Sequence, residues 1–246
     1  MNKKNLKKQI IIITGSNGVL GKFLAKSLKK LSKQLILIDK NDKNQNSFGD
    51  YYQCNFEHDF EIENLINLIK KKYKKIDSII NNAAMVGDNI EKKKFSSQEW
   101  QKCLSINLTS IYQISIGLEN ILVKSSDPSI VNISSIYGVI GPDKEIYRGT
   151  SHFNPASYSA SKGGLNSLTR WLAGNLNKKI RVNSISLGGV LRKQNKIFIN
   201  KYSKKTIMGR MAKNQDLVGP VLFLISTESG YITGQNLIVD GGYSII

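Results

Sequence analysis

Short apolar runs of strand length alternate with amphipathic segments along the 246 residues of this chain. Apolar runs of about 4–8 residues bounded by turn residues are typical of buried strands, and a helix repeats its apolar positions every three or four residues. The predicted strands are Gln9–Thr14, Gln34–Asp39, Tyr51–Cys54, Ser78–Asn81, Ser129–Ile133, Arg181–Leu187 and Asn236–Val239. The predicted helices are Val19–Leu31, Phe60–Tyr73, Ser97–Val123, Ala156–Asn177 and Asp216–Ser226. This alternation predicts an α/β fold, a doubly wound parallel sheet of about seven strands with helices on both faces.

The sequence gives no sign of a boundary between domains. It has four prolines and no linker rich in glycine and serine, so we expect one domain over residues 1–246. No apolar stretch approaches the roughly 20 residues that span a bilayer, so we expect no membrane insertion. Cys54 and Cys103 are too few for a disulfide framework, and no Cys/His spacing resembles a metal site. These features favour a cytoplasmic protein without a bound metal.

The formal net charge of +18 could indicate a nucleic-acid partner. However, only five of the 36 basic residues are arginine, and the lysines are spread along the chain without a helix-turn-helix, zinc-finger or RNA-binding motif. We therefore expect no specific nucleic-acid partner, although the positive field attracts small anionic molecules.

A glycine-rich turn joins the first predicted strand to the first helix. Gly15, Gly18 and Gly21 let the backbone approach a pyrophosphate that rests on the N-terminus of that helix. Asp39, at the end of the second strand, is placed to accept hydrogen bonds from a ribose 2′-hydroxyl and to repel a 2′-phosphate. The pattern therefore predicts NAD as the cofactor, and the adjacent Lys40 keeps NADP as an alternative.

Tyr158 and Lys162 lie four residues apart in the fourth predicted helix and therefore share a face. A nearby ammonium favours an ionised phenol, so we predict that Lys162 lowers the pKa of Tyr158 into a range useful for proton transfer. Taken alone, this spacing is also that of an ordinary surface pair on an amphipathic helix. Together with Ser135 upstream and the glycine-rich turn, it predicts a hydride-transfer site.

Further segments occur in the order typical of one enzyme family. They are Asn81-Asn82-Ala83-Ala84 after the fourth strand, Ser105-Ile106-Asn107-Leu108-Thr109 in the third helix, Ser134-Ser135 after the fifth strand, Ile180-Arg181-Val182-Asn183, and Gly234 to Gly242 near the end. Over essentially its whole length the chain resembles the short-chain dehydrogenase/reductase family. This resemblance implies a Rossmann-type fold and an NAD(P)-dependent oxidoreductase acting on a CH–OH group.

The resemblance also assigns roles to residues. It implies that Ser135 holds the substrate oxygen and that Tyr158 is the general acid in reduction and the base in oxidation. Lys162 would lower the pKa of Tyr158 and hold the nicotinamide ribose, and Asn107 would position a water in a proton relay; Ser134 would be structural. The expected cofactor-binding residues are Gly15, Asn17, Gly18, Leu20, Gly21, Asp39, Asn55, Asn82, Ala83, Tyr158, Lys162 and Val190.

Among several departures from the family pattern, two lie near the expected substrate pocket. Ser135 and Tyr158 are 158 − 135 = 23 residues apart, which leaves room for an insertion over 141–155 that we expect to arch over the substrate pocket. Within it we predict that Tyr147, Arg148 and His152 contact a polar, anionic substrate, and a solvated loop without a binding role is the alternative. After the sixth strand, Leu191-Arg192 replaces a usual threonine, and 190–213 is a candidate lid.

The insertion and the segment Ser134-Ser135-Ile136-Tyr137-Gly138 are similar to those of family members found with flagellin and surface-glycan genes, in pathways to nonulosonic and related sugars. That similarity implies a sugar, sugar phosphate or nucleotide sugar as substrate. The alternatives are a reductase of 3-oxoacyl or small carbonyl compounds and, from another class, a non-catalytic dinucleotide-binding sensor or scaffold. The predicted helices Ser97–Val123 and Ala156–Asn177 and the tail Tyr243–Ile246 match surfaces through which the family forms homodimers and homotetramers.

Overall fold

The structure is a computed structural model that describes residues 6–43, 47–87, 96–150 and 153–246. Its sheet has seven strands in the order β3-β2-β1-β4-β5-β6-β7, and every neighbouring pair is parallel. The strands are β1 (Ile10–Thr14), β2 (Gln34–Asp39), β3 (Asp50–Gln53), β4 (Ser78–Asn81), β5 (Ser129–Ser135), β6 (Arg181–Leu187) and β7 (Asn236–Val239). The predicted doubly wound parallel sheet is confirmed.

Helices cover both faces of this sheet. They are α1 (Val19–Lys29), α2 (Asp59–Lys72), α3 (Ser97–Leu104), α4 (Ser110–Gly117), α5 (Glu119–Leu122), α6 (Lys144–Tyr147), α7 (Ala156–Asn175), α8 (Lys196–Lys204) and α9 (Asn214–Leu224). Because side chains alternate along a strand, Ile11 and Ile13 of β1 pack into one core with α1 and α9, whereas Ile12 packs into the other core with α2, α4 and α7. The run of isoleucines is therefore buried on both faces.

The strand order reverses at β1. From β1 the chain moves outward to β2 and β3, then returns to the other side of β1 as β4 and continues through β5, β6 and β7. At such a reversal the connections leave the two central strands in opposite directions and open a crevice at their carboxyl ends. The glycine-rich turn, Asp39 and Ser135 all lie at this edge, and Tyr158 follows on α7.

The predicted continuous helix over Ser97–Val123 is wrong. A turn of π-helix, Ser105–Thr109, separates α3 from α4, and α4 ends at Gly117 before the short α5. The wide turn carries Asn107, whose side-chain amide bonds the backbone of Met85 at 2.8 Å through both its oxygen and its nitrogen. The extra residue in this turn directs the Asn107 side chain at the Met85 backbone. A single inserted residue of this kind leaves no trace in the hydrophobic periodicity of the sequence, so it could not be predicted.

Other boundaries also differ from the prediction. Strand β5 continues to Ser135 because its last two residues pair with Ser186 and Leu187 of β6. The helices α6 and α8 were not predicted; α6 lies in the insertion and α8 in the candidate lid. Within the described ranges, every helix is too short or too polar to cross a bilayer.

Candidate active site

A cleft of about 820 Å³ runs along the carboxyl edge of the sheet. One end is lined by the glycine-rich turn and Asp39, and the other by Ser135, Tyr158 and Arg192. Every residue predicted to bind the cofactor lines this cleft except Gly21. The volume is in the range of clefts that bind small molecules.

The glycines of the turn are required by close backbone contacts. Gly15 has φ +65°, and a Cβ atom there would lie 2.7 Å from the Cα of Ala83. A Cβ atom on Gly21 would lie 2.0 Å from the carbonyl oxygen of Gly15, so Gly21 shapes the turn from behind. Gly18 caps α1 without a side-chain hydrogen bond, and the first turn carries no acidic residue. The N–H groups of the helix start therefore suit a phosphate.

Asn82 braces this turn against β4. Its side-chain amide donates to the carbonyl oxygens of Thr14 at 3.0 Å and Gly15 at 3.1 Å. The backbone N–H groups of Asn82 and Ala83 both donate to the Thr14 hydroxyl at 3.0 Å. Asn82 therefore holds the shape of the cofactor end by tying the ends of β1 and β4 together.

Asp39 is 7 % exposed at the end of β2. Its carboxylate accepts hydrogen bonds from the backbone N–H groups of Asn17 at 2.9 Å and Asn41 at 3.3 Å. The Asn17 side chain donates to the Lys43 carbonyl at 3.0 Å and the Tyr51 hydroxyl at 3.1 Å. The carboxylate is thus fixed in the cleft lining, where its remaining acceptor capacity suits a ribose diol.

Ser135 and Tyr158 meet at the other end of the cleft. Burial raises the pKa of the Tyr158 phenol, while a hydrogen bond with Ser135 and the positive charge of Arg192 act in the opposite direction. The Ser135 hydroxyl also accepts the backbone N–H of Tyr137 at 3.2 Å. This geometry presents a protonated phenol and a hydroxyl to the same point of the cleft, as an acid/base pair for a carbonyl or alcohol oxygen requires.

Lys162 lies near Tyr158, but its ammonium bonds to the backbone. Its side chain is 2 % exposed, and its ammonium donates to the carbonyl oxygen of Ile133 at 2.8 Å and lies 5.7 Å from the centre of the Tyr158 ring. Burial lowers the pKa of Lys162 from 10.5 to about 8. Burial raises the pKa of Tyr158 on balance, and the ammonium of Lys162 bonds to the Ile133 carbonyl, so the lowering of that pKa by Lys162 stays a prediction.

Asn107 is fully buried behind the cleft wall. In addition to the two bonds with Met85, its amide nitrogen donates to the hydroxyl of Ser161 at 2.9 Å. Met85 lines the cleft, so Asn107 positions the wall through the Met85 backbone. Its role in a water relay stays a prediction.

Of the two predicted substrate contacts in the insertion that the structure describes, Tyr147 lies in the cleft lining. Tyr147 lines the cleft, its hydroxyl shares a 2.6 Å hydrogen bond with that of Tyr137, and its ring packs 5.4 Å from those of Phe153 and Phe198.

Arg148 lies outside the cleft lining, contrary to the prediction. Its side chain is 77 % exposed and pairs at 3.3 Å with Glu145, three residues earlier in the chain. His152 lies outside the described residues.

The loop after β6 contributes more than the predicted Val190. Val190 bridges to Ala212, and Arg192 and Gln194 also line the cleft. The Gln194 side chain accepts the backbone N–H of Arg192 at 2.5 Å and donates to the Val190 carbonyl at 2.7 Å. The sequence signal was the arginine at a position where the family usually has threonine, but the sequence could not show that the Arg192 side chain points into the cleft. Asn154 also lines the cleft and was not predicted.

No group of three or more His, Cys, Asp or Glu side chains that could hold a metal occurs in the described ranges.

The sequence and the fold are similar to those of known proteins. Residues 16–244 match the family model described as enoyl-(acyl carrier protein) reductase. The chain is 32% identical over 259 residues to post-translational flagellin modification protein A of Campylobacter coli, covering 98% of this chain and 100% of that protein. It is 32% identical over 252 residues to a 3-oxoacyl-(acyl-carrier-protein) reductase of Buchnera aphidicola, covering 96% and 98%. A short-chain dehydrogenase from Leptospira borgpetersenii, solved with bound NAD+, has a TM-score of 0.88 and 31% identity over 98% of this chain and 94% of that one.

Proposed function

The chain belongs to the short-chain dehydrogenase/reductase family, and on that premise we propose that it interconverts a secondary alcohol and a ketone on a polar carbohydrate, with NAD preferred over NADP. Membership makes the protein an NAD(P)-dependent oxidoreductase. The observation that carries the proposal is one continuous cleft that joins the glycine-rich turn and Asp39 to Ser135 and Tyr158.

The residues of the cofactor end fit a dinucleotide. Any side chain at Gly15 would fill the space against Ala83, and Gly18 leaves the start of α1 open for a pyrophosphate. A bound nicotinamide supplies or accepts the hydride. The fixed Asp39 carboxylate supports the NAD preference, because it accepts from a ribose diol and repels a 2′-phosphate.

The chain's own residues move the proton. Because burial raises the pKa of Tyr158, the phenol is protonated near neutral pH and is ready to donate to a carbonyl oxygen during reduction. Ser135 holds the same oxygen through its hydroxyl, and in the reverse direction Tyr158 takes the alcohol proton. Lys162 lies beneath this pair, where its buried ammonium can hold the nicotinamide ribose.

The substrate end favours a polar molecule. Tyr137, Tyr147, Asn154 and Arg192 line it with hydroxyl, amide and guanidinium groups. The similarity to the flagellin modification protein supports a sugar, sugar phosphate or nucleotide sugar used in surface-glycan synthesis. The similarity to 3-oxoacyl reductases and the apolar Phe198 in the lining favour a second candidate, reduction of a 3-oxoacyl or small carbonyl compound. A non-catalytic sensor is less favoured because Ser135, Tyr158 and Lys162 are all present.

We also propose that residues 1–246 form one domain in which the insertion 141–155 and the lid 190–213 cover the substrate. A homodimer or homotetramer in the cytoplasm is part of the proposal. The exposed rings of Tyr112 and Trp171, 5.8 Å apart on α4 and α7, support an oligomer, and the free cysteines are consistent with a reducing compartment. Light scattering of the purified protein measures the oligomeric state.

Titration of the purified protein with NADH and NADPH by fluorescence tests the cofactor. A panel of sugars, sugar phosphates, nucleotide sugars and 3-oxoacyl compounds then tests turnover through the absorbance of the reduced cofactor. We expect tighter binding of NADH and turnover of a carbohydrate, and Tyr158→Phe should lower kcat by about 10³ while it binds NADH normally. Tight NADH binding without turnover of any carbonyl or alcohol would favour the sensor, and equal kcat in Tyr158→Phe would exclude the assigned acid/base.

A further inference from the structure

We propose that Arg192 binds a carboxylate or phosphate group of the substrate, so that this enzyme acts on an anionic rather than a neutral molecule. The proposal rests on the proposed function and names the substrate class of the same site. Among the cationic side chains of the cleft, some already bind partners within the protein, whereas that of Arg192 binds none in the part of the chain that the structure describes.

Four cationic side chains line the cleft among the described residues: Lys40, Lys102, Lys162 and Arg192. The ammonium of Lys162 donates to the Ile133 carbonyl at 2.8 Å, and that of Lys102 pairs with Glu57 at 3.0 Å. Lys40 directly follows Asp39 and lies at the cofactor end. Arg192 has no carboxylate partner within the described ranges, so it is the cation at the substrate end that can pair with a ligand.

Arg192 lines the same cleft as Ser135 and Tyr158. Its charge acts on the pKa of Tyr158, although burial has the larger effect there. A substrate oxygen held by Ser135 and Tyr158 therefore lies within reach of a group on the same molecule that pairs with Arg192. A guanidinium matches a carboxylate or phosphate with two parallel hydrogen bonds, which fixes the orientation of the ligand as well as its charge.

The backbone that carries Arg192 is held in place. The N–H of Leu191 donates to the Ala212 carbonyl at 2.8 Å, and Val190 bridges to the same residue. Both polar ends of the Gln194 side chain are used inside the loop, on the Arg192 N–H and the Val190 carbonyl. Gln194 therefore stabilises the loop. Arg192 also lines the cleft, and its guanidinium has no partner within the protein among the contacts of the described residues.

The opposite wall suits the uncharged part of such a substrate. The hydroxyls of Tyr137 and Tyr147 share one hydrogen bond, which leaves each phenol oxygen further capacity for a sugar hydroxyl. Burial raises the pKa of both phenols, so they stay neutral and do not repel an anion. Arg148, the arginine predicted from the sequence to make this contact, lies outside the cleft and supplies a matched control.

The test compares the wild type with Arg192→Gln and Arg148→Gln. Each protein is first titrated with NADH, and its NADH complex is then titrated calorimetrically with two pairs of probes: galacturonate against galactose, and glucose 6-phosphate against glucose. We expect the wild type and Arg148→Gln to bind at least one anionic probe about tenfold more tightly than its neutral partner, and Arg192→Gln to lose that preference with unchanged NADH affinity.

Three results would overturn the inference. One is an equal affinity of the wild type for anionic and neutral probes, and another is an unchanged preference in Arg192→Gln. The third is a parallel loss of NADH affinity in Arg192→Gln, which would assign the guanidinium to the phosphates of the cofactor. Failure of the wild type to bind NADH at all would instead contradict the proposed function, so the two failures are distinguishable.

Discussion

The two ends of the cleft are built by different means. At the cofactor end the backbone of one segment lies against that of another: Gly15 approaches Ala83 and Gly21 packs on Gly15. The side-chain amide of Asn82 donates to the carbonyls of Thr14 and Gly15 and holds these segments together. At these positions a larger side chain would collide with backbone atoms, so only one or two residue types fit. This end is therefore rigid, and its sequence is constrained.

At the substrate end, side chains from distant segments meet. Lys201 of α8 donates to the carbonyls of Glu145 at 2.9 Å and Arg148 at 2.8 Å, and Lys205 pairs with Asp143. The rings of Tyr147 and Phe198 pack between the insertion and α8. Many residue types could replace these contacts, so this end can change its substrate while the cofactor end stays constant. The insertion and α8 therefore hold each other in place at the substrate end.

Gly21→Ala should have the largest effect, because the new Cβ atom would lie 2.0 Å from a backbone oxygen that cannot move without breaking the turn. We expect a loss of about 3 kcal/mol or more in the free energy of unfolding and a large loss of NADH affinity. Gly174→Ala in α7 is the control, because nothing lies within 4 Å of its Cβ position and alanine favours a helix. Urea unfolding and NADH titration measure both effects. Equal stability of the two variants would show that the cofactor end is not rigid.

This contrast also explains what the sequence could predict. The run Ile10–Ile13 and the glycine-rich turn are local patterns, so they predicted β1 and the turn into α1 correctly. The π-helical turn was missed because Asn107 is fixed by Met85, 22 residues earlier in the chain.

Helix α8 was missed because the partners that hold it are also distant in sequence. Tyr202 stacks on Tyr243 with the ring centres 4.6 Å apart, and Phe198 packs on Tyr147. Helical spacing brought Lys162 near Tyr158, but it could not show that the ammonium bonds to the Ile133 carbonyl.

Lys162 lies between the two ends, and its titration should change stability with pH. Its pKa is about 8 in the folded protein against an ordinary 10.5, so between these values the unfolded chain binds more protons and stability rises with pH. We expect the wild type to gain about 2 kcal/mol relative to Lys162→Met between pH 7.5 and 9.5. Urea unfolding of both proteins across this range measures the gain. A constant difference between them would show that Lys162 is as solvated as an ordinary surface lysine.

Asp39→Asn should change cofactor choice by a smaller amount. Asparagine keeps an acceptor oxygen for the Asn17 N–H but removes the charge that repels a 2′-phosphate. We expect the ratio of NADH to NADPH affinity to fall about tenfold, which is about 1.4 kcal/mol. Asp42→Asn, an exposed aspartate in the next turn, is the control. If both variants keep the wild-type ratio, Asp39 does not determine the cofactor and the lysines of the cleft must be considered instead.

Lys201→Met should have the smallest effect on stability and the most selective effect on function. The change removes two hydrogen bonds that join α8 to the insertion at a partly exposed position, so we expect to lose about 1 kcal/mol of unfolding free energy or less. Because Tyr147 and Phe198 are then held less firmly, KM for the substrate should rise about threefold while NADH affinity stays constant. Lys204→Met, exposed on the same helix, should change neither.

Steady-state kinetics together with amide hydrogen exchange over residues 144–150 separate a local from a global effect of Lys201→Met. Faster exchange confined to this segment would show that the insertion depends on α8 and that the substrate end moves independently of the cofactor end. Equal exchange and equal KM in Lys201→Met and Lys204→Met would mean that the aromatic packing alone joins the two segments. Loss of NADH affinity in Lys201→Met would contradict the division of the cleft into two independently built ends.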